Sequence, residues 1–265
     1  MSDRSSPVPP GPAPSKEEGR ALIDLIKIMH VLRSPGGCPW DREQTHQSLA
    51  RNLLEEAHET LEAIDSGNPE RLREELGDLL LQVVFHSEMA MQEGTFDIDD
   101  VAEGITAKLI RRHPHVFGDV SVDSAAEVLV NWERIKMEEK GEHSIDHEIP
   151  STLPALARAS KVQRRAAGFG FDWRSATAAM AKVREELDEV DHAPPERAEE
   201  ELGDVLFAVA GLARTLSVDP ETALRKATGR FAERFERMRR RAAADGVDLE
   251  SLSDQDLLAR FRSAK

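Results

Sequence analysis

LLEEAHETLEAI (residues 53–64) and REELGDLLLQVVF (73–85) return later in the chain as VREELDEV (183–190) and EEELGDVLFAVAGL (199–212). Each copy sets Glu-x-x-Glu on one segment and Glu-x-x-Asp on the next. The first copy carries Glu56 and Glu59 with Glu75 and Asp78; the second carries Glu186 and Glu189 with Glu201 and Asp204. Residues three apart on a helix share a face, so two such helices packed antiparallel bring four carboxylates together. Carboxylates crowded in this way repel one another unless a cation sits among them, and a hard all-oxygen ligand set suits Mg²⁺, with Mn²⁺ as a substitute. Glu56 and Glu186 are 130 residues apart and Asp78 and Asp204 are 126 apart. The difference falls in the connection between the helices, where added length costs little. The pattern predicts an all-α protein built by duplication of a helical module, and not a solenoid, which needs three or more repeats.

Composition supports this reading. Aromatic residues make up 5% of the 265-residue chain and tyrosine is absent, a balance that favours helix over sheet. A formal charge of −15 argues against a nucleic-acid surface, which requires a basic stripe, but leaves room for a phosphorylated small molecule held by metal and a few basic side chains. Cys38 is the only cysteine, so neither an internal disulfide nor a thiolate zinc site can form. No run approaches the ~20 apolar residues of a membrane helix, and the N-terminus has no apolar signal core. The expectation is a cytoplasmic protein without membrane contact. MSDRSSPVPPGPAPS (residues 1–15), rich in Pro and Ser, reads as a disordered tail.

The helical period and its breakers divide the rest. Helices are predicted over about 16–33, 45–65, 70–92, from 100 to Pro114, and 124–140. The polar, proline-bearing segment 141–154 is the expected boundary between an N-terminal module (16–140) and a C-terminal one (155–265). The second module repeats the plan, with helices over about 154–167, 175–192, 196–216 and 218–242 and a short terminal helix after Leu249. Asp97 or Asp99, and Asp219 ahead of Pro220, are candidate N-caps.

A run of glutamates is usually a solvated helix face. Here the acids are flanked by apolar residues, and GDLLLQVVF (77–85) is too apolar to lie wholly on a surface, so the carboxylates are expected beside a buried layer where they need partners. Gly77 is read as allowing close approach of another helix or a ligand. Repetition of Glu-Glu-Leu-Gly-Asp in both copies favours a metal site. A rival di-iron reading rests on Glu55-x-x-His58 and Glu189-x-x-His192. These two histidines occupy non-equivalent places in the copies and are expected on the surface. Arg230 and Arg234, four apart on one helix face, fit either a phosphate clamp or ion pairs with Glu221, Glu233 and Glu236. Lys182, one turn before Glu186, could serve as a further clamp. Trp40, Trp132 and Trp173 are read as core residues, His113 and His115 as loop or capping residues. No phosphate-binding loop of the P-loop type is present.

GGCPWDREQTHQSLARNLLEEAHE (36–59), EELGDLLLQVVFHSEMA (74–90), RRHPHVFGD (111–119), IPSTLPAL (149–156), KVQRRAAGFGFDW (161–173) and ELGDVLFA (201–208) together resemble the MazG family of nucleoside triphosphate pyrophosphohydrolases. The resemblance covers nearly everything after the tail. It implies tandem modules and a homodimer whose helices assemble four-helix bundles, with Mg²⁺-dependent conversion of nucleoside triphosphates to monophosphate and pyrophosphate. It also implies that the second module is catalytic. Glu186, Glu189, Glu201 and Asp204 would then hold the metal, and Glu185, Glu186 and Glu189 would serve in catalysis. Lys182, Glu185, Arg197, Glu200, Arg230, Arg234 and Phe261 would contact nucleotide. Glu56, Glu59, Glu75 and Asp78 form a second candidate cluster. The chain departs from the family pattern at Thr228 and Arg230, where Asn and Lys are frequent, and at Phe261, which stands for a tryptophan. A non-catalytic, metal-stabilised helical interaction protein is the alternative reading.

Overall fold

The computed structural model describes residues 19–124, 127–128, 131–132, 135, 149–173 and 175–265, and the regular structure among them is helical. The tail 1–15, most of the predicted 124–140 helix and residues 141–148 of the expected linker lie outside the described residues. The chain divides into two compact units, Met1–Ile135 and Lys136–Lys265.

The first unit contains α1 (Arg20–Arg33), α2 (Pro39–Glu43), α3 (Ala50–Ser66), α4 (Pro69–Glu93), α5 (Ile98–Arg112) and α6 (Pro114–Phe117). Its boundaries follow local chemistry. Gly67 closes α3 at φ 66, a conformation glycine adopts without steric cost. The Asn68 side chain accepts from the Glu70 and Arg71 amides, and Pro69 opens α4. Asp97, one of the two predicted caps, forms a reciprocal capping box with Asp100 at the start of α5. The α3 helix starts five residues later than the sequence suggests. Thr45 and Ser48 bond each other's backbone amides through their hydroxyls (2.9 and 3.1 Å) and hold 45–48 as a turn.

Met29, Leu49, Val84, Phe85 and Met89 form the core of this unit, with Leu25, Ile26 and Leu81 packed on it. Burying a side chain such as Phe85 contributes roughly 1.5–3 kcal/mol. The Arg33 guanidinium lies 5.4 Å from the Phe85 ring centroid and donates to the Asp41 carbonyl, which ties α2 to the core. Trp40 is 56% exposed and not a core residue as expected. The one-turn helix that carries it packs on α1 and buries no residue.

His46, in the turn before α3, stacks on His86 of α4 with ring centroids 5.0 Å apart and Nδ1 atoms 2.7 Å apart. Nε2 of His86 is buried without a hydrogen-bond partner. Burial, followed by the neighbouring His46, pushes the His86 pKa below its ordinary value. The unfolded chain therefore takes up this proton more readily than the folded one, so the associated stability is present above the unfolded value of about 6.5 and is lost as pH falls through the folded value. The melting temperature should drop between pH 7.5 and pH 5.5, and His86→Gln should flatten that part of the profile. An unchanged slope in the variant assigns the pH dependence elsewhere.

The second unit contains α7 (Ala155–Gly168), α8 (Ala176–His192), a 3₁₀ turn (Pro195–Arg197), α9 (Ala198–Thr215), α10 (Pro220–Ala244), a second 3₁₀ turn (Leu249–Ser251) and α11 (Asp254–Ser263). Ser175 caps α8, Ser253 caps α11, and Asp219 caps α10 as predicted. The α9 helix packs on both α7 and α8. At Gly211 of α9 a Cβ atom would lie 2.6 Å from Trp173 Cζ3 and 3.2 Å from Gln163 Oε1. Only the missing side chain admits the indole. Gly211→Ala should therefore destabilise the protein by about 1–3 kcal/mol through overpacking, read as a lower denaturation midpoint; a midpoint at or above wild type contradicts the close packing. The 169–173 loop is further held by Arg214, which donates both terminal nitrogens to the Asp172 carboxylate and keeps that carboxyl below its usual pKa.

Both hairpins leave apolar side chains uncovered within one chain. Leu76 and Leu80 are 48% and 40% exposed while Val84 and Phe85 of the same helix are buried. The 77–85 segment is thus buried along one side only, although α4 packs on α3, α1 and α5. Nothing lies within 4 Å of a Cβ built at Gly77, so the expected close approach is not made among the described residues. Leu187, Leu202, Leu206 and Phe207 form a matching exposed set on α8 and α9.

Candidate metal centre

The α3–α4 hairpin brings one carboxylate oxygen from each of Glu56, Glu75 and Asp78 within 4.8 Å of one another, and the α8–α9 hairpin does the same with Glu186, Glu201 and Asp204. Short connections force the helices of each pair antiparallel, and the i, i+3 spacing turns both acids of the later helix toward the earlier one. Glu186 and Glu201 are only 6% and 4% exposed, whereas Asp204 is exposed. Glu59 and Glu189, the fourth carboxylate of each predicted set, are exposed and stand outside these tight groups. Each sits about 4.5 Å further along its helix axis than the glutamate three residues before it. Glu189 still lies within the field of its neighbours, chiefly Glu186, which raises its pKa.

The surroundings of the two groups differ. In the first unit the Glu56 carboxyl is pushed up by burial and then by Asp78, Glu59, Glu75 and Glu55. Arg71 supplies the nearby cation, 3.5 Å from Glu75 and 3.1 Å from Glu62. In the second unit Lys182 Nζ lies 2.6 Å from Glu186 and 2.7 Å from Glu185. Arg197 lies 2.7 Å from Glu201 and 3.0 Å from Glu200. The pKa of Lys182 is raised by its bonds to Glu185 and Glu186, and that of Arg197 chiefly by Glu200. Four of the residues expected to touch nucleotide, Lys182, Glu185, Arg197 and Glu200, therefore flank the acidic group and are already paired with each other and with it.

The donor sets consist of carboxylate oxygens, partly withdrawn from water and close enough to chelate one ion. They fit a hard divalent cation. They do not fit the di-iron reading: His58 and His192 are exposed and belong to neither group, and His192 Nδ1 lies 2.6 Å from the Asp188 carbonyl oxygen. Beside the second group an open depression of about 550 Å³ is lined by Ala181, Arg184, Glu185, Asp188, Glu189 and His192, all from α8.

Arg230, Arg234 and Phe261 form a separate cluster. Arg230 is exposed. The Arg234 guanidinium lies 4.3 Å from the Phe261 ring centroid and donates to the carbonyls of Phe261 (2.6 Å) and Arg262 (3.0 Å). Arg237 and Arg241 likewise donate to the Ala264 and Ser263 carbonyls. Three arginines of α10 thus bond carbonyls at and just after the end of α11, where few helical amides remain to reach them. Among the described residues no bond joins Arg230, Arg234 or Phe261 to the acidic group.

Comparison with known proteins gives the family. A profile described as the MazG nucleotide pyrophosphohydrolase domain matches residues 44–117, the stretch that holds Glu56, Glu59, Glu75 and Asp78. The chain is 47% identical over 253 residues to the nucleoside triphosphate pyrophosphohydrolase/pyrophosphatase MazG of Thermotoga maritima, covering 94% of this chain and 98% of that protein. It is 47% identical over 245 residues to the nucleoside triphosphate pyrophosphohydrolase of Escherichia coli K12, covering 87% and 93%. A 161-residue match at 45% identity to the Mycobacterium tuberculosis nucleoside triphosphate pyrophosphohydrolase covers 60% of this chain and 49% of that one.

Proposed function

The chain belongs to the family of MazG nucleotide pyrophosphohydrolases, and from that membership we propose that the α8–α9 carboxylates are its reaction centre. The protein is a nucleoside triphosphate pyrophosphohydrolase, releasing nucleoside monophosphate and pyrophosphate and so clearing nucleotide pools. Glu186, Glu201 and Asp204, with Glu189 beside them, would hold Mg²⁺, or Mn²⁺ in its place. Such an ion supplies charge neutralisation of the triphosphate and Lewis acidity at phosphorus. The pairing of the second group with Lys182 and Arg197 carries this assignment, because anionic phosphates need donors next to the carboxylates.

In the reaction, water attacks the α-phosphorus and the bond to the α–β bridging oxygen breaks, its electron pair leaving with pyrophosphate. Glu185 or Glu189, both exposed and next to the buried Glu186, orients the attacking water and accepts its proton. Lys182 and Arg197 take up charge on the phosphate oxygens. Arg230 and Arg234 contribute further positive charge, and Phe261 a stacking surface, when the α10–α11 end meets the nucleotide. The test is product identity: protein, Mg²⁺ and each nucleoside triphosphate should give pyrophosphate, and orthophosphate in its place contradicts the reading.

We further propose a homodimer working in the cytoplasm. The uncovered apolar faces of α3–α4 and α8–α9 support it, since contiguous exposed apolar surface of this kind marks an interface. So does the α8 depression, whose lining comes from one helix and leaves a wall for a second copy.

A further inference from the structure

Lys182 and Arg197 are not merely near the acidic group; each holds one of its two buried carboxylates. Lys182 Nζ sits 2.6 Å from Glu186, and Arg197 Nη2 sits 2.7 Å from Glu201. A divalent cation and these two side chains compete for the same negative charge. The first unit has only half of this arrangement. Arg71 pairs with Glu75 in the same i, i+4 relation that Arg197 has with Glu201. At the position corresponding to Lys182, four residues before Glu56, stands the uncharged Asn52. The neighbouring Arg51 turns instead to the exposed Glu55, 2.8 Å away.

We propose that Lys182 and Arg197 are displaceable internal counter-ions that couple metal binding to triphosphate binding in the second unit, a regulation that rests on the reaction centre assigned above. Without nucleotide the two cations hold Glu186 and Glu201, and the group takes up metal weakly. Triphosphate oxygens are more highly charged acceptors than one carboxylate. They draw Lys182 and Arg197 off, and the freed carboxylates then bind the cation that enters with the nucleotide. Each ligand strengthens the other by the same factor, as linkage demands. Idle metal loading is suppressed and the centre assembles only around its substrate. The first unit, lacking the lysine, takes metal with less dependence on nucleotide.

The test is calorimetric titration of Mn²⁺ into the full-length chain in a Glu56→Gln/Asp78→Asn background, so that the second group alone reports. It is run with and without the α,β-methylene analogue of whichever triphosphate the wild-type protein converts fastest. Lys182→Met should bind Mn²⁺ about three- to tenfold more tightly than its parent in the absence of nucleotide, in keeping with loss of one partly exposed ion pair, and the enhancement by the analogue should shrink. Lys182→Arg, which keeps the charge, should retain the parent's weak nucleotide-free binding. Metal affinity in Lys182→Met that equals or falls below the parent's overturns the proposal, because it makes the lysine a support of the site and not a competitor. That outcome differs from failure of the reaction-centre reading, which would appear as a wild-type protein releasing no pyrophosphate.

Discussion

Glu186→Gln should reduce pyrophosphate release at least about 10²-fold, the scale of losing one main electrostatic contributor to a transition state, while leaving the helical content and melting temperature near wild type. Glu186 is the group's most enclosed acid on α8, and its carboxylate lies within 4.8 Å of those of Glu201 and Asp204. Gln has the same shape but lacks the charge that a divalent ion requires. Fold stability should survive because the change also relieves repulsion from Glu201 and Asp204, and Lys182 retains Glu185 as a partner. The corresponding Glu56→Gln should have a smaller effect on turnover, since the first group lacks the lysine and the reaction centre is assigned to the second. Steady-state assays of both variants decide between the groups. A Glu186→Gln protein with wild-type turnover, or a Glu56→Gln protein that alone is dead, reverses the assignment.

Leu206→Glu should convert the proposed homodimer to monomer. Leu206 is 49% exposed on α9, beside the exposed Leu202 and Phe207 and on the same hairpin as the acidic group. Placing an unpaired carboxylate in the interior of an interface costs several kcal/mol, and each 1.4 kcal/mol weakens association tenfold, so the loss should exceed about a hundredfold. Size-exclusion chromatography with light scattering should report twice the 29.4 kDa chain mass for wild type and the single-chain mass for the variant. A variant that still elutes as a dimer places the interface elsewhere. If the α8 depression gains its second wall from a partner copy, activity should fall with dissociation.

What could be read from the sequence was local or repeated. Asp97 and Asp219–Pro220 mark helix starts whose caps act within three residues, so the linear text carries them. The duplicated Glu-x-x-Glu and Glu-x-x-Asp spacing pointed to Glu56, Glu75 and Asp78 and to Glu186, Glu201 and Asp204, because helical period alone decides which side chains share a face. Spacing does not say how far along the axis a ligand set reaches, and Glu59 and Glu189 stand outside the two tight groups. Contacts between distant segments had no signal. Arg214 meets Asp172 across 42 residues, Trp173 fills the space above Gly211, and His46 meets His86. Trp40 was misjudged because bulk and hydrophobicity favour burial, while a one-turn helix at the edge of a small unit has little to bury against. Nor did the linear text foretell that the Arg234 guanidinium would meet the carbonyls of Phe261 and Arg262.

The most direct measurement is a crystal of the protein grown with Mn²⁺ and the non-hydrolysable triphosphate, with anomalous difference density collected at the manganese edge. A peak between the carboxylates of Glu186, Glu201 and Asp204, with the phosphates on its open side and Lys182 turned toward them, is the predicted result. Those three side chains turned apart into solvent, with manganese bound elsewhere, would contradict it.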